Sequence, residues 1–286
     1  MGYHFVPQQY LRAWESPGQP GMILTYDKKN LSCKPLPIKG VAQAPAFYDA
    51  EVESKLAAQL EGPANIILED LRNLRRITEE QRIHFAIYTA TMIKRVPRRR
   101  RVARQQILPN AIETTMNKLL GELQEWAATT TNRELAERRL KEVEHLRMKF
   151  LRDPPKEITD QIDSPWPTTK MVEAVAGMAW RLVFTQGPQF FITSDNPAFF
   201  FESLGVGTPE GEIAFPLSPN VAFMGSNQGK PASITLMEVK QKIVREVNRR
   251  MCAGAERSIF AREPQPWLTE AMKKQSPYLS RIGWNA

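Results

Sequence analysis

Between Val52 and Leu74 apolar side chains return every three or four residues, at Val52, Leu56, Leu60, Ala64, Ile67, Leu71 and Leu74. That interval lines one face of an α-helix. Gly62-Pro63 lies inside the pattern and predicts a kink or a split, because proline lacks the N–H that a helix interior needs. Thr78-Glu79-Glu80-Gln81 has the form of a capping box and predicts a fresh helix start. The helix after it should turn Ile83, Ile87, Ala90 and Ile93 inward and end at Pro97. Another helical pattern runs through Val102, Gln106, Ile112, Met116, Leu119, Leu123 and Trp126, with a kink expected at Pro109. Residues 132–151 are heavily charged, with Glu134–Arg138 and Glu137–Lys141 at the spacing that supports an exposed helix. Their thin apolar stripe (Leu135, Val143, Leu146, Phe150) places that helix at an edge of the fold.

The period changes at both ends of the chain. Two apolar runs around Asp27-Lys28-Lys29-Asn30 predict an N-terminal hairpin. Four prolines in 153–167 separate the helical half from the C-terminal third of the chain. Trp180–Phe184 and Gln189–Thr193, flanking Gln186-Gly187-Pro188, read as a second hairpin. Phe199–Phe201, Ile213–Phe215 and Val221–Met224 have strand length, a helix is expected over 236–252, and a short strand over 258–260. The class is α+β: a central helical layer at about 50–152, and a small, mostly antiparallel sheet formed chiefly after residue 180, which the N-terminal hairpin can join. The reading is a single domain over 1–286, with helical part 50–152 and β-rich part 178–262 plus the segment 1–48.

Composition adds exclusions. No run of about 18 apolar residues is present, so no membrane partner is expected. The N-terminus lacks a signal-peptide pattern, and two cysteines (Cys33, Cys252) cannot build a disulfide scaffold, which together imply a cytoplasmic protein. With three histidines as well, a closed zinc site is not expected, while carboxylates could hold Mg²⁺ or Mn²⁺. Neither a phosphate-binding nor a dinucleotide-binding glycine loop is present, so no nucleotide cofactor is expected. Charge is more informative. The net charge is +8, and residues 94–104 (KRVPRRRRVAR) carry seven cations and no acid. Removing those seven from the 39 basic residues leaves 32 against 31 acidic ones. The cationic character is therefore local. Arg95, Arg98, Arg99, Arg100 and Arg101 become candidate phosphate-binding residues, whereas a solvated face or a contact with a protein partner explains the same run without any ligand.

The candidate chemistry lies at two distant stretches. In FFITSDNPAFF a bulky strand ends at Thr193, and Ser194-Asp195-Asn196-Pro197 is both a good strand-ending turn and a way to present Asp195 at a rigid tip. PLSPN (216–220) has the same form around Ser218. The chain opens MGYHFVPQQYLRAW, where Phe5, Val6, Leu11 and Trp14 ask for burial, so His4 is expected to be docked. His84 and His145 read as ordinary helix residues.

These stretches together resemble an uncharacterised, mostly bacterial family, domain-of-unknown-function family 4238. The resemblance rests on His4, Phe5, Val6, Pro7, Tyr10, Leu11 and Arg12, on Phe47-Tyr48, Glu61, and Arg95, Pro97 and Arg100. It continues with Thr193–Pro197, Pro216–Pro219, and the late Asn248, Met251, Ala255 and Arg257. Val96 departs from the Thr or Ser expected there. The resemblance covers nearly the whole chain and implies a grouping rather than an activity. It suggests one composite site with His4, Glu61, Asp195 and Asn196 as catalytic residues, Asp195 and Glu61 as possible Mg²⁺ ligands, and Gln8, Tyr10, Arg12, Ser194, Ser218 and Asn248 in support.

Three functions are therefore expected. The first is a phosphodiesterase acting on DNA or RNA, with His4 as general acid/base and the arginine run holding phosphates. The second is a non-catalytic nucleic-acid-binding or regulatory protein. In the third the basic run meets a protein partner or a second copy of the chain.

Overall fold

The computed structural model describes residues 2–45, 47, 49–201 and 204–273. Tyr48 of the Phe47-Tyr48 pair lies outside the described residues. The fold is α+β and divides into two compact units, Met1–Val96 with Trp166–Ala286, and Pro97–Pro165.

The first unit is organised around a five-stranded sheet. Its strands are β5 (Ala179–Phe184), β7 (Phe199–Phe200), β8 (Glu212–Pro216), β9 (Val221–Ser226) and β10 (Ile234–Glu238), in the order β10-β5-β9-β8-β7. All neighbours are antiparallel except β10 and β5. Alternation of side chains splits the sheet between two cores. Trp180, Leu182, Ile213, Phe215, Val221 and Phe223 face one core, and Val183, Ala214, Ala222 and Met224 the other. Helix α4 (Glu79–Lys94) covers the first face, with Phe85 at 5.4 Å from Trp180 and 5.2 Å from Phe223, ring centre to ring centre. Helix α10 (Gln241–Gly254) covers the second with Val244, Val247 and Met251. Each fully buried Val, Leu, Ile, Phe or Met side chain among them contributes about 1.5–3 kcal/mol.

Beside α10 lies a four-stranded sheet in which β2 (Met22–Asp27), β3 (Ser32–Pro37), β6 (Thr193–Ser194) and β11 (Ser258–Ala261) take the order β3-β2-β11-β6. The N-terminal hairpin is present, its turn held by Asp27 Oδ1 accepting from the N–H groups of Lys29 and Asn30. It joins β11. The second hairpin does not form: β5 pairs with β9 and β10, and Thr193–Ser194 pairs with β11. The segment after Gly187-Pro188 crosses from one sheet to the other, a choice that local turn chemistry does not reveal. The helix expected over 236–252 also starts later, because Ile234–Glu238 pairs with β5 as a strand.

Short strands β1 (Gly2–His4) and β4 (Gln43–Pro45) pair at the N-terminus, and Pro7 caps α1 (Gln8–Leu11). Helix α2 (Ala50–Lys55), a wide π-turn (Leu56–Glu61) and α3 (Gly62–Arg72) run on without a break. The π-turn sits directly before Pro63 and absorbs the missing N–H by a change of hydrogen-bond register. Thr78 and Gln81 form the capping box. The buried face of α4 is wider than its periodicity suggests: Ile83 is exposed, while Arg82, Phe85, Tyr88, Thr89 and Met92 are buried. Helix α9 (Thr169–Gly177) packs on α4, and Arg82 closes its C-terminus by donating to the carbonyls of Ala176 and Met178.

The second unit contains α5 (Pro97–Val102), a π-turn (Ala103–Ile107), α6 (Leu108–Thr129), α7 (Arg133–Arg152) and α8 (Lys156–Asp163). A π-turn again precedes the helical proline, here Pro109. The proline-rich stretch, expected as a pure break, contains α8 between its proline pairs. On α7, Glu142 pairs with both Arg138 and Arg139, so Arg138 turns toward the C-terminus of the helix rather than back to Glu134.

Thr78→Ala removes the acceptor for Gln81 N–H and leaves an exposed position unfilled. It should lower unfolding stability by about 1 kcal/mol, read as a lower denaturation midpoint with an unchanged slope.

Candidate functional site

The N-terminal segment is docked. The N–H of Phe5 bonds the Ala42 carbonyl at 3.0 Å, Phe5 packs on Phe47, and Val6, Tyr10, Leu11 and Trp14 are buried. This holds His4, half-buried on β1, with its Nε2 at 3.2 Å from the Lys39 carbonyl. A carbonyl accepts only, so Nε2 carries the hydrogen and the neutral ring keeps its lone pair on Nδ1. Burial lowers the His4 pKa from its ordinary value, helped by Arg95 and opposed by the Lys39 carbonyl and Glu61.

Beneath His4 lies the end of α4. Arg95 is fully buried, donates to Glu61 Oε1 at 2.6 Å, and reaches the His4 carbonyl with its other terminal nitrogen. Glu53 of α2 accepts from the His4 N–H. Burial, reinforced by Glu61, raises its carboxyl above the usual range against the pull of Arg95. Its Oε2 is buried with no hydrogen-bond partner among the described residues. The Tyr88 hydroxyl, one more orphaned buried group, feels both Glu61 and Arg95. His4, Glu53, Glu61 and Arg95 therefore form one cluster in which a neutral imidazole and a carboxyl of raised pKa stand beside a buried ion pair.

Asp195 faces backbone donors. Its Oδ1 accepts from Glu256 N–H at 2.8 Å, and its Oδ2 accepts from the N–H groups of Arg257 and Ser258 at 2.7 and 2.8 Å. Burial pushes the Asp195 carboxyl up while these three bonds oppose it. Asn196 donates to the Gly254 carbonyl, and Ser194 closes a local turn onto Asn196. Asn248 accepts from Ile192 N–H and donates to the Phe190 carbonyl, adding side-chain partners to the backbone that leads into β6. Together these side chains clasp the end of α10 and the turn into β11. Among the described residues no hydrogen bond or ion pair joins His4 or Glu61 to Asp195, and no group of three or more His, Cys, Asp or Glu side chains could hold a metal ion. The Asp195 carboxylate is taken up by the backbone donors of residues 256–258, whereas His4 and Glu61 meet at Arg95.

Tyr10 connects the motifs structurally. Its hydroxyl donates to the Pro216 carbonyl at 2.6 Å and lies 2.7 Å from Thr193 Oγ1. Arg72 donates to the Leu217 carbonyl, and Trp14 to the Phe191 carbonyl. Ser218 Oγ accepts from Asn220 and Val221 N–H, a turn role. Gln8 is half-buried, and Arg12 is exposed with Glu15 at 3.9 Å.

The basic run is divided. Lys94 donates to the Trp166 carbonyl and Arg95 is spent in the cluster above, so Arg95 is an interior cation with no surface to offer a phosphate. In the second unit Arg100 bonds the Asp163 carbonyl and Arg104 the Asp163 carboxylate, both at the C-terminus of α8, where cations are favoured. Arg98, Arg99 and Arg100 are partly exposed and Arg101 is exposed. Sequence reasoning missed Glu53, Tyr88, Arg72 and the buried Arg250–Glu212 pair at 2.9 Å.

Asp195→Ala leaves three buried N–H groups without an acceptor and should cost about 3 kcal/mol or more, measured by denaturant unfolding. Asp195→Asn should recover only part of it, since an amide offers a single acceptor oxygen. Glu53 generates a pH-dependent prediction. Its native pKa is raised from 4.5, so the native state binds more protons than the unfolded state between those values, and stability falls as pH rises through that window. Glu53→Gln removes this penalty. The melting-temperature gain of the variant over wild type should grow from pH 4 to pH 7; a gain independent of pH would contradict the assignment.

No curated protein and no solved structure matches the chain. A family model described as "Protein of unknown function (DUF4238)" matches residues 3–265, which include His4, Glu61, Arg95, the Thr193–Pro197 and Pro216–Pro219 motifs and Asn248. The chain belongs to that family.

Proposed function

We propose that this protein cleaves phosphodiester bonds in nucleic acid, with His4 as the general base. The observation that carries the reading is the His4 ring itself. Its Nε2–H is fixed on the Lys39 carbonyl, and burial lowers its pKa, so Nδ1 is unprotonated at neutral pH and oriented by a buried support. Glu53 accepts from the His4 N–H and so helps to hold the residue in place. Glu61 and Arg95 act through position: the pair fixes the His4 backbone from below. Asp195, Asn196 and Asn248 are assigned to the framework instead. Arg98, Arg99 and Arg101 are a basic surface of the second unit by itself. The two cysteines are free thiols, which accords with a cytoplasmic setting.

The test is a cleavage assay with the full chain over single- and double-stranded DNA and RNA, in Mg²⁺, Mn²⁺ or EDTA. At least one substrate should be cut, and His4→Ala should lower kcat/KM by about 100-fold or more. The acid limb of the pH profile should fall below 6.5, since His4 must remain neutral to act. Cleavage unchanged in His4→Ala, or none with any substrate, overturns the reading.

The exposed Arg101 also supports a non-catalytic nucleic-acid-binding protein. With Lys94 and Arg95 spent inside the first unit, at most five cations of the run remain. Binding to duplex DNA should then show a slope of log K against log salt no steeper than about −4.5, and Arg101→Ala should reduce it by about 1. A complex indifferent to salt would remove nucleic acid from both readings.

A further inference from the structure

Residues 97–165 form a helical unit that holds little interior of its own. Its buried apolar side chains are Val102, Leu108, Ile112, Ala136 and Val143, none less than 3% exposed. By contrast, the core of the first unit includes Tyr10, Phe85, Phe215 and Phe223 at 0%. Helices α6 and α7 run antiparallel with Arg147 on Glu113 at 2.8 Å, which fixes their relative level. The buried and half-buried apolar side chains form stripes spaced three or four residues apart, Ile112, Met116, Leu120 and Leu123 on α6 and Ala136, Leu140 and Val143 on α7, which mark the faces the two helices turn to each other.

A second apolar set flanks those stripes. Leu119 and Trp126, seven residues and two turns apart, are each 39% exposed. Leu135 is half-buried, and Leu146, eleven residues and three turns further on, is 38% exposed. Both pairs lie about 60–110° to the same rotational side of their contact stripes, at 100° per residue. In an antiparallel pair the same rotational side of both helices opens onto one face. Leu119, Trp126, Leu135 and Leu146 therefore share it.

We propose that a second copy of this chain covers that face, giving a four-helix bundle about a twofold axis. Charge selects the occupant and the axis. Helix α6 carries Glu113, Glu122 and Glu125 against Lys118, and α7 carries seven basic and four acidic side chains. Two twofold axes can lay this face on its copy. The axis across the helices sets α6 on α6, acid on acid. The axis along the helices sets the acidic α6 of each copy antiparallel on the basic α7 of the other, and does so twice. Counting from the Glu113–Arg147 level, Glu122 then lies level with Arg138 on the outer flank of the second copy, and Trp126 lies near the level of its Leu135. A face about 30 Å long and 20 Å wide buries about 600 Å² per copy, about 1,200 Å² in total, which reaches the lower bound of stable interfaces.

Sedimentation velocity on the full chain tests this. Wild type should be dimeric by about 100 μM, as an interface at the small end of the range requires. Leu119→Glu and Trp126→Glu should each weaken the dimer at least tenfold while far-UV circular dichroism and the thermal transition stay those of wild type. Glu122→Arg and Arg138→Glu, each weakly associating alone, should form a heterodimer when mixed, because the exchanged pair is again attractive at both copies of the contact. A wild type that stays monomeric, a dimer indifferent to both glutamate substitutions, or a charge-exchanged mixture that fails to associate overturns the proposal. The mixture also separates lost association from lost folding.

Discussion

A fully buried guanidinium has to be neutralised and hydrogen-bonded, and Arg95 imposes that demand where three parts of the chain meet. Removing such an ion from water costs several kcal/mol, and leaving it unpaired costs about 3–5 kcal/mol more than the paired state. Glu61 supplies the charge and the His4 carbonyl a second acceptor. Glu61 ends the π-turn of the α2–α3 helix, His4 lies in the first strand, and Arg95 closes α4. One ion thereby sets the register of the N-terminal strand against two helices. The position of the His4 ring is a consequence: the ring leans on Lys39 because its own backbone is clamped from the other side by Glu53 and Arg95.

The same principle explains where the other motif residues went. The chain crosses between sheets around 185–195 and turns sharply between α10 and β11, and both places strip backbone groups of ladder partners. Asp195, Asn196 and Asn248 are short polar side chains that return those partners: a carboxylate takes three N–H groups, and an amide takes one N–H and gives to one carbonyl. Tyr10 and Arg72 do the same for carbonyls of 216–217. Buried backbone must be satisfied, and residues that do so resemble catalytic residues in a sequence because both are polar, sparse and placed at element ends.

That likeness limits how far a sequence can be read. Features decided within a few residues were legible: the Thr78–Gln81 capping box, the hairpin around Asp27–Asn30, the strands at 213–215 and 221–224, and the docking of HFVPQQYLRAW. Features decided by a distant partner were not. Nothing local distinguishes Gln189–Thr193 as a crossing segment from a hairpin arm, or Ile234–Glu238 as a strand beside β5 from the first turn of a helix. The pairing of His4 with Glu61 and Arg95 was partly visible as a family grouping. Glu53 was not, since a glutamate in a first helical turn is ordinary and only burial sets this one apart.

The basic run is the clearest case of composition needing structure to be interpreted. Eleven residues carry nearly the whole net charge, which invites a single electrostatic role. Their positions assign several. Lys94 and Arg95 complete the interior of the first unit, and Arg100 and Arg104 hold the end of α8 in the second. A cation paired with a carboxylate loses its freedom to reach a ligand, and at long range the two charges largely cancel. The number of available cations is set by burial and pairing, which the sequence does not contain.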